Sequence, residues 1–473
     1  MGPKRVGTLY RELGIATLEG LEKAARAGQV RQLESFGAKM EQKILEELEQ
    51  TRGEESQRVK LAVAEQVVEP LMDYLRNIKG VIRAEAAGSY RRMKETVGDL
   101  DILVICGDDS DVMQRFVEYE GVGRALSKGT TRSTVVLRSG LQVDLRAVTD
   151  ESYGAALQYF TGSKAHGVAT RRVAQEKGLK LNEYGVFRGP EQVAGKSEEE
   201  VYRQLDLPWM EPELRENMGE IEAAREGRLP QLVTLKDIRG DLHAHTKATD
   251  GRATLEEMAR AAQERGYEYL AITDHTARLK VAKGMGSERL AKQIEEIDRL
   301  NEKLDAITIL KGAEVDILED GSLDLPDEIL RQLDLVVCSV HYRFDLPKEQ
   351  QTRRIIKAMD NPCFTIVGHP TGRLINQREP YDVDMEQLMR AALNTGSALE
   401  LNAQPERLDI NETYCKMARE MGVKVAISSD AHSRDELGHL RFGVMQARRG
   451  WLEAADVLNT RSLRDLKKLL RKR

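Results

Sequence analysis

The chain has 473 residues, 41% of them hydrophobic and 32% charged, with a formal net charge of −6. That length predicts two to four globular domains with real cores, and the acidic balance excludes a basic coat spread over the whole chain. No apolar run reaches the ~18 residues of a membrane span. The start, MGPKRVGTLYREL, has no apolar signal region, and the four cysteines show no CxxC spacing, so a cytoplasmic chain with reduced thiols is expected.

Residues 1–60 read as helical, interrupted by glycines. GPKRVGTLYRELGI and SFGAKMEQKILEEL share a layout: a glycine turn, a lysine two residues on, then an amphipathic helix. They look like helix-hairpin-helix elements, which aim backbone N–H groups at a DNA phosphate without reading sequence. Gly2, Lys4, Gly37 and Lys39 are the candidate DNA contacts, with plain helix caps as the alternative.

Residues 61–150 predict an α+β region: a helix over Leu61 to Arg76, then strand-like runs VIRAEAAG, LDILVIC, TVVLRSG and LQVDLRAV. Residues 151–215 are mixed, with YFTGSKAHG opening a helix and KLNEYGVF resembling a hairpin. From Gly121 to Lys180, ten Lys or Arg face four Asp or Glu, a local basic surface suited to a phosphate-rich partner. Residues 216–237 lie in an acidic stretch with no strand signal and are expected to be a linker. From 238 to 473 the pattern becomes strand, helix, strand, helix, with seven strands: IRGDLHAHT, YEYLAITDH, ITILKGAEVDI, LDLVVCSVHY, FTIVGHP, SALELNA and VKVAISSDAH. That alternation predicts a parallel barrel or a related α/β fold. Thr254 to Glu257 is a capping box and Gly266 closes that helix. LRDLKKLLRKR at the end reads as a basic helix.

Two constellations carry chemistry. In GSYRRMKETVGDLDILV, Asp99 and Asp101 leave one face of a strand. Asp144, in LQVDLRAV, is another acid inside an apolar alternation. Three carboxylates on neighbouring strands repel unless cations lie between them, and two oxygen-ligated Mg²⁺ ions suit them. Such a pair would activate an attacking hydroxyl and stabilise a leaving diphosphate. Gly88 and Ser89 offer N–H groups and a hydroxyl to phosphate oxygens, and Arg92 offers a bidentate partner. Together they read as a nucleoside-triphosphate site, the alternative being a solvated edge strand.

The second constellation is histidine-rich. Of eight histidines, six fall at the C-terminal ends of the predicted strands: His243, His245, His275, His341, His369 and His432. Asp250, Asp274, Glu314 and Asp430 accompany them. Strand ends of an α/β barrel converge on one mouth. Imidazole with carboxylate suits Zn, Mn or Fe, and a set this large exceeds one tetrahedral ion. His166 and His439 fall outside the pattern and are read as ordinary.

The motifs HAHTKATDG, ITDH, GAEVDI, SVHYR, GHP and SSDAH resemble the polymerase-and-histidinol-phosphatase (PHP) superfamily. The resemblance implies a trinuclear metal centre (Mn, Zn or Fe) on a distorted (β/α)7 barrel. Carried over position by position, it gives His243, His245, Asp250, His275, Glu314, His341, His369, Asp430 and His432 as ligands, with Asp274 beside them. Thr249 stands where a serine is common. GSYRR, GDLDILV and VDLR resemble polymerase-β-type nucleotidyltransferases. YFTGSKAHGVATRRVAQEKGLKLNEYGVF narrows this to bacterial family X DNA polymerases, which carry a C-terminal PHP domain. On that match Asp99, Asp101 and Asp144 are catalytic and bind Mg²⁺ or Mn²⁺. Gly88, Ser89, Arg92 and Gly98 hold the triphosphate. Tyr159, Phe160 and Gly162 flank sugar and base, and Arg171 lies on the template side. Gly167 departs from the family's asparagine. The family also has a small gap-binding domain preceding the hairpins that this sequence is expected to lack.

The implied architecture is multidomain: helix-hairpin-helix (1–60), nucleotidyltransferase palm (61–150), thumb (151–215), linker (216–237) and PHP barrel (238–473). The implied protein is a monomeric, cytoplasmic DNA polymerase with a metal-dependent 3′–5′ exonuclease or phosphoesterase. It would use dNTPs and gapped or primer–template DNA in short-gap base excision repair, away from any membrane. The alternative is a PHP phosphoesterase or nuclease with a non-catalytic DNA-binding first half.

Overall fold

The computed structural model describes residues 8–9, 12–13, 15, 18–33, 36–45, 58–107 and 109–470. The chain divides into two compact units, residues 1–59 and 60–473. In the first, the Leu18–Arg26 helix and a helix over 38–45 enclose a small core of Leu9, Leu21, Ala25, Val30, Phe36 and Ile44. Buried Glu41 accepts from the backbone N–H of Arg31 at 2.8 Å and from its guanidinium, so this interior acid is satisfied. The Gly37 carbonyl receives the amides of Met40 and Glu41, opening the second helix, and Lys39 is exposed on its first turn. Gly2 and Lys4 lie outside the described residues.

The second unit begins with the Leu61–Arg76 helix, as predicted. Its buried residues Leu61, Ala64, Val68, Leu71, Met72 and Leu75 recur at three- and four-residue spacing, a single apolar stripe laid on the Val81–Ala86 strand. That strand is the edge of a five-stranded sheet in the order Val81–Ala86, Asp99–Cys106, Gln142–Ala147, Arg132–Leu137, Val122–Lys128. Asp99–Cys106 runs parallel to Gln142–Ala147 with Asp101 directly opposite Asp144; the other neighbours are antiparallel. Val122–Lys128 was not expected from the sequence. It is an exposed outer strand with small and charged residues, so it has no buried face to leave an alternation.

YFTGSKAHG straddles two helices. Tyr153–Thr161 ends at Gly162, whose φ of 68° is the left-handed conformation that favours glycine. Ser163 then caps Lys164–Glu176, its hydroxyl accepting from the His166 amide at 3.2 Å. The expected hairpin is present as Lys180–Asn182 and Gly185–Arg188, and Glu191–Ala194 adds a third strand.

The stretch 216–237 is not an open tether. It contains the Glu220–Arg225 helix, buries Ile221, Ala223, Ala224, Leu232 and Val233, and uses its acids as struts. Glu220 holds His166 Nδ1 at 2.7 Å, and Glu216 is shared by Arg92 and Arg449. Its acidic composition suggested a linker because Arg92 and Arg449, the cations that neutralise Glu216, lie far away in sequence.

All seven strands expected in the second half are found, all parallel and in sequence order: Gly240–Asp241, Tyr269–Ile272, Thr308–Asp316, Leu335–Ser339, Ile366–Val367, Ala398–Asn402 and Val425–Ser428. A parallel bridge from Ala244 to Ala431 brings the first strand's continuation to the last, nearly closing a (β/α)7 barrel. Thr254 and Glu257 form the expected capping box on Leu255–Glu264. The Leu463–Leu470 helix docks through fully buried Leu466.

Candidate active sites

In the five-stranded sheet, alternation along Asp99–Cys106 leaves Leu100 and Ile102 buried and turns Asp99 and Asp101 to the other face. The register sets Asp144 opposite Asp101 on that same face. Asp144 is nearly buried; Thr134 donates its hydroxyl to Asp144 Oδ1 at 2.5 Å and Arg132 reaches the same oxygen at 3.1 Å. Arg146 Nε stands 3.8 Å from Asp101. Burial, then the neighbouring Asp99, pushes the Asp101 carboxyl up to about 6; Arg146 opposes them and Asp144 adds to them. Burial and like charges that together oppose ionisation are what a divalent cation between these carboxylates would relieve.

Gly88 sits against this triad. A Cβ there would lie 3.5 Å from Asp101 Oδ2, on a backbone with φ of 63°. The Ala87 amide donates to the Asp101 carbonyl at 2.7 Å, pinning the turn to the strand. Ser89 is buried and its hydroxyl has no partner. Gly98 is half-buried in the bend just before Asp99.

Arg92 departs from the expectation. It does not face the carboxylates freely: it is 8% exposed, with Nε 2.9 Å from Glu216 and Nη1 2.5 Å from the Thr161 carbonyl. Arg91 is likewise occupied, by Glu198 at 2.8 Å and Thr161 at 2.7 Å. Sequence reading treated Arg92 as available because it could not see Glu216 folding back onto it.

Of the remaining residues, Phe160 is joined to this face through Arg146, which stands between its ring and Asp101. Arg146 covers the Phe160 ring, 4.4 Å from its centroid, and Arg171 lies 5.9 Å from the centroid of half-exposed Tyr159. Gly162 leaves room for Arg92, since a Cβ would lie 3.2 Å from its Nη1. Gly167 does the same for Arg171, again at 3.2 Å. His166 is an ordinary hydrogen-bonded core residue, held by Glu220 and by the Tyr202 hydroxyl at 2.9 Å.

At the barrel mouth, all nine carried-over residues converge. Glu314 is the hub: its Oε2 lies 2.8 Å from His275 Nδ1, 3.4 Å from His243 Nε2 and 3.7 Å from His245 Nε2. Its Oε1 lies 3.0 Å from His369 Nε2 and 3.3 Å from His341 Nε2. Asp430 Oδ1 is 3.1 Å from His245 Nε2. On the open side, Asp250 Oδ2 is 3.4 Å from both His275 and His432. His369 and Asp430 have φ of 26° and 50°. Such backbone strain persists only when surroundings over-determine it, and here they do. Glu400 accepts from the His369 amide at 2.6 Å, and Gln404 donates to the Asp430 carbonyl at 2.8 Å.

The donor set fits divalent metals. Three overlapping groups have ligand atoms mutually within 4.8 Å: His245, Asp250, His275 and His432; His243, His245 and Glu314; His275, Glu314 and His341. His243 Nε2, both nitrogens of His245, His275 Nδ1 and His369 Nδ1 are buried and make no well-aligned hydrogen bond, although carboxylate oxygens come as close as 2.8 Å to His275 Nδ1 and 3.1 Å to His245 Nε2, an arrangement of bare donors that an apolar core would not tolerate. Burial resists a proton on His275, but Glu314 and Asp250 overrule it and raise the imidazole to about 10. Burial, then His275 and His432, push His245 down to about 4. Carboxylates that draw protons onto some imidazoles and leave others neutral form a field that divalent cations would satisfy.

Four acids support this site. Asp274 is in none of these three groups; it accepts from Thr246 N and Oγ1 at 2.8 and 2.6 Å, from Thr249 and from Gln293, bracing the loop between His245 and Asp250. Glu400 and Asp316 were missed. Glu400 Oε1 holds His243 Nδ1 at 2.7 Å and Asp316 Oδ1 holds His341 Nδ1 at 3.0 Å, which leaves each Nε2 aimed inward. Asp241, also missed, accepts from Ser429 and the His243 amide. The usable signal was the one that exposed Asp144, an acid inside an apolar strand alternation. His439 lies aside, 3.2 Å from Gln404.

Family models match two segments: DNA polymerase beta thumb over residues 156–216 and PHP domain over residues 241–404. The chain is 39% identical over 476 aligned residues to the DNA polymerase/3′-5′ exonuclease PolX of Bacillus subtilis (strain 168), covering all of this chain and 83% of that protein. A probable phosphatase of Thermoanaerobacter sp. (strain X514) is 34% identical over 232 residues, covering 46% of this chain and 89% of its own. A ternary primer/template complex of Leishmania infantum polymerase beta aligns with 46% of this chain and 94% of its own, at 22% identity and a TM-score of 0.31.

Proposed function

The chain belongs to the PolX family of DNA polymerase/3′-5′ exonucleases, and from that premise we propose that its two acidic centres perform opposite reactions on one substrate, a DNA 3′ end. The five-stranded sheet adds a nucleotide; the barrel removes one. The observation that carries the reading is that both centres lie within one compact unit, one oxygen-only, the other rich in imidazole.

At the sheet, Asp99, Asp101 and Asp144 would hold two Mg²⁺ or Mn²⁺ ions, all three carboxylates being oxygen donors. Thr134 and Arg132 fix the orientation of Asp144. The Gly88 turn leaves room for a phosphate beside Asp101, and the unpartnered Ser89 hydroxyl is a donor for it. Phe160, Tyr159 and Arg171 offer stacking surface to the nucleotide and template. At the barrel, the nine ligands would hold a cluster of Mn, Zn or Fe, with Glu400 and Asp316 keeping His243 and His341 in the tautomers that present Nε2. Bound in either site, divalent cations would polarise phosphate oxygens and lower the pKa of the attacking hydroxyl or water.

The proposed setting is short-gap filling with trimming of the 3′ end. One observation favours the alternative of hydrolysis alone: Arg92 is engaged by Glu216 rather than open to a triphosphate. Primer extension and degradation on a one-nucleotide gap separate the two, with Asp99→Ala and Asp144→Ala as controls. Extension lost in both variants while degradation persists supports two activities. Absence of extension by the parent leaves hydrolysis alone.

A further inference from the structure

Arg449 lies on the Leu440–Arg449 helix of the barrel, away from every histidine at its mouth in all its contacts. It is 2% exposed. Its Nη2 binds Glu412 at 2.8 Å within the barrel; its Nη1 crosses to the polymerase half, donating to the Arg92 carbonyl at 2.8 Å and to Glu216 Oε1 at 3.1 Å. That same Oε1 accepts from Arg92 Nε at 2.9 Å. Glu216 is therefore one anion between two arginines, one from each half.

The geometry points to Arg449 as a positioning residue for nucleotide binding by the polymerase site. This rests on the reading that Arg92 serves the incoming triphosphate. To reach a phosphate, Arg92 must leave Glu216. A carboxylate left unpaired in this buried position would pull it back, because removing one partner of a buried pair strands the other's charge. Arg449 stays on Glu216 and keeps it neutralised, so the departure of Arg92 uncovers no naked charge. Its second bond, to the Arg92 carbonyl, holds the backbone from which the side chain swings. The barrel half thus supplies the second cation that keeps Glu216 paired.

The experiment is steady-state primer extension by the full chain, reading KM for dNTP and kcat separately, with exonuclease rate and thermal midpoint recorded for each variant. Arg449→Gln leaves Arg92 as the one guanidinium bonded to Glu216, with Lys94 acting on it only through its charge, so KM rises about tenfold while kcat and the exonuclease rate hold. Adding Glu216→Gln removes the anion that detains Arg92, so the double variant returns toward the parent KM, a reversal that simple loss of packing cannot produce. If Arg449→Gln does not fold, Glu216→Gln alone carries the test: its KM stays at or below the parent's. An unchanged KM in Arg449→Gln, a double variant no better than the single, or a raised KM in Glu216→Gln overturns the proposal. Arg92→Ala tests the underlying reading separately, since an unchanged KM there removes Arg92 from triphosphate binding altogether.

Discussion

Arg373 Nη2 of the barrel lies 2.6 Å from Glu95 Oε2 of the polymerase half, with Nη1 3.3 Å from the other oxygen. Glu95 stands four residues before Asp99, and Arg373 four residues after His369. One bidentate pair, 12% and 24% exposed at its side chains, therefore ties the loop leading into one candidate centre to the loop leaving the other.

The pair is largely withdrawn from water, so each partner alone is expected to matter. Arg373→Gln and Glu95→Gln should each destabilise the chain by about 1–3 kcal/mol, and the double variant by little more than either. Denaturant midpoints across the cycle measure this; additive losses would show that the two side chains act independently.

Asp144→Asn keeps the shape of the carboxylate and removes its charge. Primer extension should fall by a factor on the order of 10³, whereas 3′ degradation stays near the parent rate. Comparable losses in both reactions would show that the two centres are not separate.

Glu400→Gln tests support of the barrel ligands from behind. Losing the carboxylate on His243 Nδ1 should weaken metal retention by about 10–100-fold, read as bound metal after dialysis against graded chelator. Extension stays intact. A variant retaining metal as tightly as the parent removes Glu400 from the site's support.

Glu198 gives the pH prediction. Burial works against its ionisation, but Arg215 and Arg91 hold its carboxyl well below the ordinary 4.5. A depressed carboxyl contributes stability that is full above its unfolded value and is lost as pH falls toward the folded one. Glu198→Gln should therefore cost about 3–5 kcal/mol at neutral pH, and the gap to the parent should shrink below pH 4.5. A gap constant down to pH 3 contradicts the assignment.

Gly154 packs where no side chain fits: a Cβ would come 2.1 Å from the Ser197 carbonyl carbon and 2.2 Å from its Cα. Gly154→Ala must part the Tyr153–Thr161 helix from the start of Glu198–Gln204, costing about 1–3 kcal/mol, visible as a lower thermal midpoint. An unchanged midpoint means the helices separate freely.

Local pattern made much of this legible. The seven barrel strands read from their apolar runs, and six histidines marked their ends. Asp99 and Asp101 were recognisable because alternation puts them on one face. Val122–Lys128 was silent because an exposed outer strand has no core to periodically face. Residues 216–237 misled because an acid paired with a distant arginine has the same letter as one in water.

What the sequence determined by itself was the inventory of donors and the faces they leave, since backbone periodicity of two or 3.6 is written in adjacent residues. Only the tertiary structure decided the partners: Asp101 with Asp144, Glu400 behind His243, and Glu216 between Arg92 and Arg449, whose guanidinium bonds a carbonyl 357 residues away. Charges that far apart along the chain leave no periodic trace. Their pairing exists only once burial has stripped both of water and made each the other's best remaining partner.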